Sequence, residues 1–147
     1  MLKLIEEVSI EAPPGMVLDV IADVGSYERW NPWIIRAAGT AIEGNEIEVV
    51  SRLGKRRIKV RHRILRRSGR EFRWCDLGWF TRLAYGERAR FVDATADGGA
   101  AYRVELTITG IGWRLVKAML GSALEDGLRA ETAALKQRAE SLHRQAS

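Results

Sequence analysis

Residues 102–128 read YRVELTITGIGWRLVKAMLGSALEDGL, and within them the apolar period changes once. Up to Thr109 every second residue is large and apolar (Tyr102, Val104, Leu106, Ile108), the pattern of a strand with one buried face. After Gly110 the apolar residues fall at Val116, Leu120, Leu124 and Leu128, which is helical spacing. Leu135, Ala139 and Leu142 continue that stripe. It predicts one helix from Gly112 to about His143, about 45 Å long at 1.5 Å per residue. Upstream, the period of two recurs in Ile47-Glu48-Val49, in Ile58 to Ile64 and in Glu71-Phe72-Arg73-Trp74. Turn residues at Gly44-Asn45, Gly54-Lys55, Ser68-Gly69 and Asp97-Gly98-Gly99 separate these runs. The reading is an antiparallel meander with one buried face. Such a face has to be covered, and the terminal helix is the only element large enough to do it.

Toward the N-terminus, Leu2 to Ile10 reads as a further strand, ended by Pro13-Pro14 where a helix can begin. Val17, Val20, Ile21 and Val24 supply that helix with its apolar face, and Tyr27 to Trp33 leaves room for one more helical turn.

The length, 147 residues, predicts one domain over 1–147. Hydrophobic residues at 46% against 29% charged exclude a disordered chain. No apolar run is long enough for a membrane span, and Lys3, Glu6 and Glu7 interrupt any secretory signal. Cys75 is the only cysteine, and His62 and His143 lie far apart, which argues against a disulfide or a zinc cluster. The chain is therefore expected to be cytoplasmic, with no metal and no cofactor.

The net charge of +5 hides a segregation. Ser51 to Arg73 holds eleven Lys or Arg and one acid, a local +10, which leaves the remainder at −5. Arg57, Lys59, Arg61 and Arg63 alternate with the inward residues, so they are expected to form the solvated outer face of one strand. The rival use of this strip is peripheral contact with an anionic membrane surface or an acidic partner. Nucleic acid is not expected, because no recognition helix or aromatic–basic interleaving accompanies the charge.

This order of elements, together with Ile10-Glu11-Ala12-Pro13, Val17 to Asp23 and Tyr27-Glu28-Arg29-Trp30-Asn31-Pro32, resembles the START-like (SRPBCC) superfamily, in its polyketide cyclase/dehydrase and lipid-transport branch. Phe72-Arg73-Trp74, Gly86 to Phe91 and Gly98-Gly99 extend the likeness over the whole chain. The resemblance implies an α+β helix-grip fold: a curved seven-stranded antiparallel sheet around the long C-terminal helix, with two short N-terminal helices. It also implies a ligand cavity between sheet and helix. The branch often carries a histidine on the strand after the Trp74-like position, whereas Gly86-Glu87-Arg88-Ala89 has none.

Parity then names candidates. Ile58, Val60 and Ile64 pointing inward put His62 inward, and Phe72 with Trp74 does the same for Asp76. A three-residue turn at Ser68-Gly69-Arg70 sets Ile64 opposite Trp74 and His62 opposite Asp76. A carboxylate that fixes an imidazole tautomer suits general-base work, and the same pair could instead orient a ligand by hydrogen bonding. The expected cavity lining is Trp74, Tyr85, Glu87, Phe91, Tyr102 and Val104 from the strands, with Leu120 and Leu124 from the helix. Trp79 and Phe80 are expected to line or gate its mouth. Gly121 and Gly127 each cost the helix about 1 kcal/mol against alanine, so they mark close packing or room for a ligand. Three functions stay open. They are a carrier of a small hydrophobic molecule (lipid, polyketide-like or aromatic), a cyclase/dehydratase-type enzyme using His62 and Asp76, and a quinone-carrier-like protein at an anionic membrane.

Overall fold

Pro13, in extended conformation, and Pro14 at the first helical position launch α1, Pro14–Ala22, which buries Val17, Val20 and Ile21 at helical spacing. The computed structural model describes residues 1–147. Before α1 runs β1, Leu2–Ile10, and after it come a 3-10 turn, Val24–Arg29, and β2, Ile34–Ala38. β3 (Glu46–Leu53), β4 (Arg56–Arg67) and β5 (Glu71–Leu77) follow. A second 3-10 turn, Trp79–Arg82, leads to β6 (Tyr85–Ala94), β7 (Ala100–Thr109) and α2 (Trp113–Ala146).

The strands form one curved antiparallel sheet in the order β1-β7-β6-β5-β4-β3-β2, so the first strand joins the last. α2 is the single long helix that the stripe predicts, and it lies across the concave face. Leu124, Leu128, Leu135 and Ala139 are buried in the 27-residue apolar core, whereas Val116, Leu120 and Leu142, nearer the helix ends, are half-buried. α2 also fastens β1: Lys136 Nζ donates to the Ser9 carbonyl at 2.7 Å, and the Glu11 N–H donates to Glu140 at 2.8 Å. No helix is long and apolar enough to cross a membrane.

The expected register of β4 against β5 is present, with Ile64 opposite Trp74 and His62 opposite Asp76. The path to it differs. Next to the turn Arg67 pairs with Phe72, and a bulge between Ile64 and Arg66 takes up the extra residue. The bulge leaves Leu65 exposed while the inward faces of both strands stay aligned.

Arg57, Lys59, Arg61 and Arg63 lie on the outer face, as their alternation predicts. Carboxylates from β3 neutralise three of them: Lys59 meets Glu48 at 3.2 Å, and Arg61 and Arg63 share Glu46 at 3.0 and 3.1 Å.

The two helix glycines differ in kind. A Cβ on Gly127 would stand 2.5 Å from the Trp33 indole, so its absence seats that ring. A Cβ on Gly121 would meet only a Lys117 methylene at 3.8 Å. Gly121→Ala is therefore expected to raise stability by up to about 1 kcal/mol through helix propensity alone, read as a higher urea midpoint at unchanged m.

Candidate functional site

Between α2 and the inner faces of β3 to β7 lies a cavity of about 110 Å³. Its wall is aliphatic: Leu53, Ile58, Val60, Leu106, Ile108 and Leu124. Its polar side is formed by His62, Asp76 and Arg88, with Ser51, Gly86 and the Trp33 ring completing the lining. The alternation of each strand supplies these groups, because the residues that share a face with the core point into the same space.

His62 Nε2 lies 2.9 Å from Asp76 Oδ1, and His62 Nδ1 lies 3.2 Å from the Val60 carbonyl. Both ring nitrogens thus face acceptors, and neither offers a free lone pair to the cavity. Asp76 Oδ2 accepts the Gly86 N–H at 3.0 Å, and a side chain at Gly86 would collide with that oxygen. The pair predicted from parity exists, and each of its polar atoms faces a group of the protein. The His62 ring also leans on Trp74, with centroids 5.2 Å apart.

Beside the cavity is a buried charge cluster that the periodicity reading did not find. Glu131 of α2 accepts from Arg88 at 3.1 and 3.3 Å, from Arg90 at 3.3 Å and from Asn31 at 2.9 Å. The Asn31 carbonyl oxygen in turn accepts the Trp33 and Ile34 N–H groups, both at 2.9 Å. One carboxylate faces two guanidiniums, and aromatic rings take up the remaining positive charge. Arg88 lies 4.3 Å from the Trp33 ring centroid, and Arg90 lies 4.2 Å from that of Trp74. Burial alone would raise the Glu131 carboxyl, but Arg88, Arg90 and Asn31 outweigh it and hold the group below its ordinary value. Burial pushes the neighbouring Tyr27 and Tyr102 phenols up, so both stay neutral. The sequence did carry a signal for this cluster. Glu131 falls on the buried stripe, three residues after Leu128 and four before Leu135.

The cluster corrects the reading of β6. Tyr85, Glu87 and Phe91 lie on the outer face; Gly86, Arg88, Arg90 and Val92 point inward, and of these Gly86 and Arg88 line the cavity. Phe91 and Val92 are adjacent, so either parity offers an apolar anchor, and Glu131 is what makes the arginine-bearing face the buried one. Glu87 instead meets Arg73 at 2.7 Å on the outer face. Trp74, Tyr102 and Val104 do point inward, but they are packed core residues outside the cavity lining. Leu124 lines the cavity, and half-buried Leu120 does not. Trp79 is 86% exposed and turned to solvent, and Phe80 packs over Gly78 outside the lining. No three His, Cys, Asp or Glu side chains converge as metal ligands would.

The family model described as polyketide cyclase/dehydrase and lipid transport matches residues 1–140. The chain belongs to that family. No curated protein matches the sequence. Among solved structures, this polyketide cyclase/dehydrase and lipid-transport family member is similar to the di-domain aromatase/cyclase BexL from the BE-7585A biosynthetic pathway (17% identity, TM-score 0.77). That match covers 95% of this chain but 47% of BexL, so the chain spans about half of the di-domain protein. It is also similar to the Zhui aromatase/cyclase from Streptomyces sp. R1128, with 15% identity, TM-score 0.74 and coverage of 95% and 93% of the two chains. A START superfamily protein from Mycobacterium smegmatis matches at 14% identity and TM-score 0.73, covering 95% and 98%. At these identities the likeness is one of fold, the START-like helix grip.

Proposed function

We propose that residues 1–147 act as one binding unit that encloses a small, mostly apolar molecule bearing a hydroxyl group, which can donate to Asp76 and accept from Arg88. The observation that carries this reading is the cavity itself, aliphatic on one side and lined by His62, Asp76 and Arg88 on the other. Its 110 Å³ suits a ring of a few heavy atoms; larger ligands require it to open. Trp33, packed on Gly127 and Arg88, is the partition that would have to move for it to open. The same indole also borders an outer groove of about 370 Å³ between the β3–β4 turn and α2. Swinging it aside joins the two spaces into one of ordinary ligand size.

A second reading, a cyclase-type enzyme, draws on the His62–Asp76 contact and the fold shared with aromatase/cyclases. Binding is favoured because both imidazole nitrogens are already engaged. The test is titration of the whole chain with fatty acids and polycyclic aromatic phenols, followed by tryptophan fluorescence, with mass spectrometry of the recovered ligand. The wild type is expected to bind and return the ligand unchanged. Asp76→Asn is expected to weaken binding about tenfold, the worth of a hydrogen bond to a charged group. A chemically altered ligand, lost in His62→Gln, would establish the enzyme instead. An absence of binding across both ligand classes would remove the carrier reading.

A further inference from the structure

At the end of the sheet where β7 runs into α2, three segments come together: the β3–β4 turn (52–58), the loop after β5 (78–84) and the start of α2 with its preceding turn (110–120). The last two are stitched together. The Ile111 N–H donates to the Arg82 carbonyl at 3.2 Å, and the Gly112 N–H donates to the Leu83 carbonyl at 2.8 Å. Gly110, at φ +106°, passes so close that a Cβ would stand 2.6 Å from the Leu83 carbonyl oxygen. The β3–β4 turn lies across the cavity from them, Leu53 and Ile58 sharing its wall with Ile108 and Leu124.

This end gathers the exposed apolar side chains of the molecule. Trp79 and Ile111 are each 86% exposed, Met119 72%, Leu115 64% and Leu83 48%. These are five of the nine large hydrophobic residues that are exposed, so the surface is a patch rather than a scatter. Leu115 and Met119, four residues apart on α2, share one exposed face, with exposed Ile111 in the turn just before the helix, while Val116, Leu120 and Leu124 turn toward the protein.

The same three segments carry cations and no acid. Arg52, Lys55, Arg56 and Arg57 stand on the first, Arg82 on the second, and Arg114 and Lys117 on the third. All seven are exposed, and none has a carboxylate within 4.0 Å. The outer face of β4 is the opposite case, its Lys59, Arg61 and Arg63 being paired with Glu48 and Glu46.

We propose that this end docks on an anionic phospholipid surface, with the Trp79–Leu83 and Ile111–Met119 side chains in the headgroup–acyl boundary and the seven cations among the lipid phosphates. Unpaired charge beside exposed aromatic and aliphatic groups is what such a boundary selects. A second copy of the chain is a poor occupant, because two like-charged surfaces would meet face to face. The cavity lies directly behind this surface, so docking brings its aliphatic wall next to the bilayer.

The test is co-sedimentation of the full chain with vesicles of phosphatidylcholine alone and of phosphatidylcholine mixed with phosphatidylserine. Binding is expected to the mixed vesicles only, with quenching of tryptophan emission by brominated acyl chains. Trp79→Ser and Leu115→Ser, at exposed positions that leave the fold intact, are expected to lose both the quenching and most of the binding. Arg114→Gln with Lys117→Gln should lower partitioning about fivefold per charge. Arg61→Gln with Arg63→Gln should leave it unchanged. No binding to the mixed vesicles would overturn the proposal, and so would an equal loss in the Arg61/Arg63 variant. Retention on a soluble polyanion without retention on vesicles would assign the surface to an acidic partner. A dimer dissolved by Trp79→Ser would assign it to self-association.

Discussion

Glu131→Gln is expected to lower the free energy of unfolding by about 3–5 kcal/mol, the cost of leaving buried charge without its partner. The carboxylate is the only anion touching Arg88 and Arg90, all three groups are buried, and an amide replaces it without charge. Urea denaturation of wild type and variant measures the loss. The acid limb of the stability curve provides a second readout. The Glu131 carboxyl is held below its ordinary value in the folded state, so its contribution is fully present above the unfolded value of about 4.3. It is lost as pH falls through the depressed folded value. The wild type is therefore expected to weaken below about pH 4, and the variant to lack that part of the decline. Equal slopes in the two proteins would mean that folding does not shift the Glu131 carboxyl.

Gly127→Leu is expected to destabilise the protein by about 3 kcal/mol, even though leucine favours helix over glycine by nearly 1 kcal/mol. The site has no spare room. The first side-chain carbon already stands 2.5 Å from the indole of Trp33, and that ring stacks on Arg88 and walls the cavity. Displacing Trp33 thus disturbs the packing, the charge cluster and the cavity together. Thermal unfolding should show the loss, and near-ultraviolet circular dichroism should show a changed tryptophan environment. Unaltered stability would mean that the ring has another low-energy seat.

The same residues explain what the sequence could and could not tell. The helix grip was legible because its two periods are long and unbroken, from Tyr102 to Ile108 and from Val116 to Leu142. The His62–Asp76 neighbourhood was legible because side-chain alternation and turn length constrain register, although a bulge at Leu65 completes it. β6 was misread because inward parity was assigned by hydrophobicity, and a strand can bury arginines when a helix delivers a carboxylate to them. No local pattern pairs Arg88 with a residue 43 positions away. Trp79 was expected to line or gate the cavity mouth, but its ring stands in solvent outside the lining, because a short connecting loop has no periodicity to say where a side chain points.

The union of β1 with β7 sets a timetable for assembly. Leu2 pairs with Ile108 and Ile10 with Ala100, so the first strand finds its neighbour only once β7, about 90 residues further along, has been made. Until then β1 presents two open edges and an uncovered apolar face, and the helix that covers it is synthesised later still, after β7. Contacts of such long sequence separation make folding slow, and they leave the nascent chain exposed to aggregation through its strands. The ribosome-bound chain is therefore the stage at which this protein has most need of a chaperone.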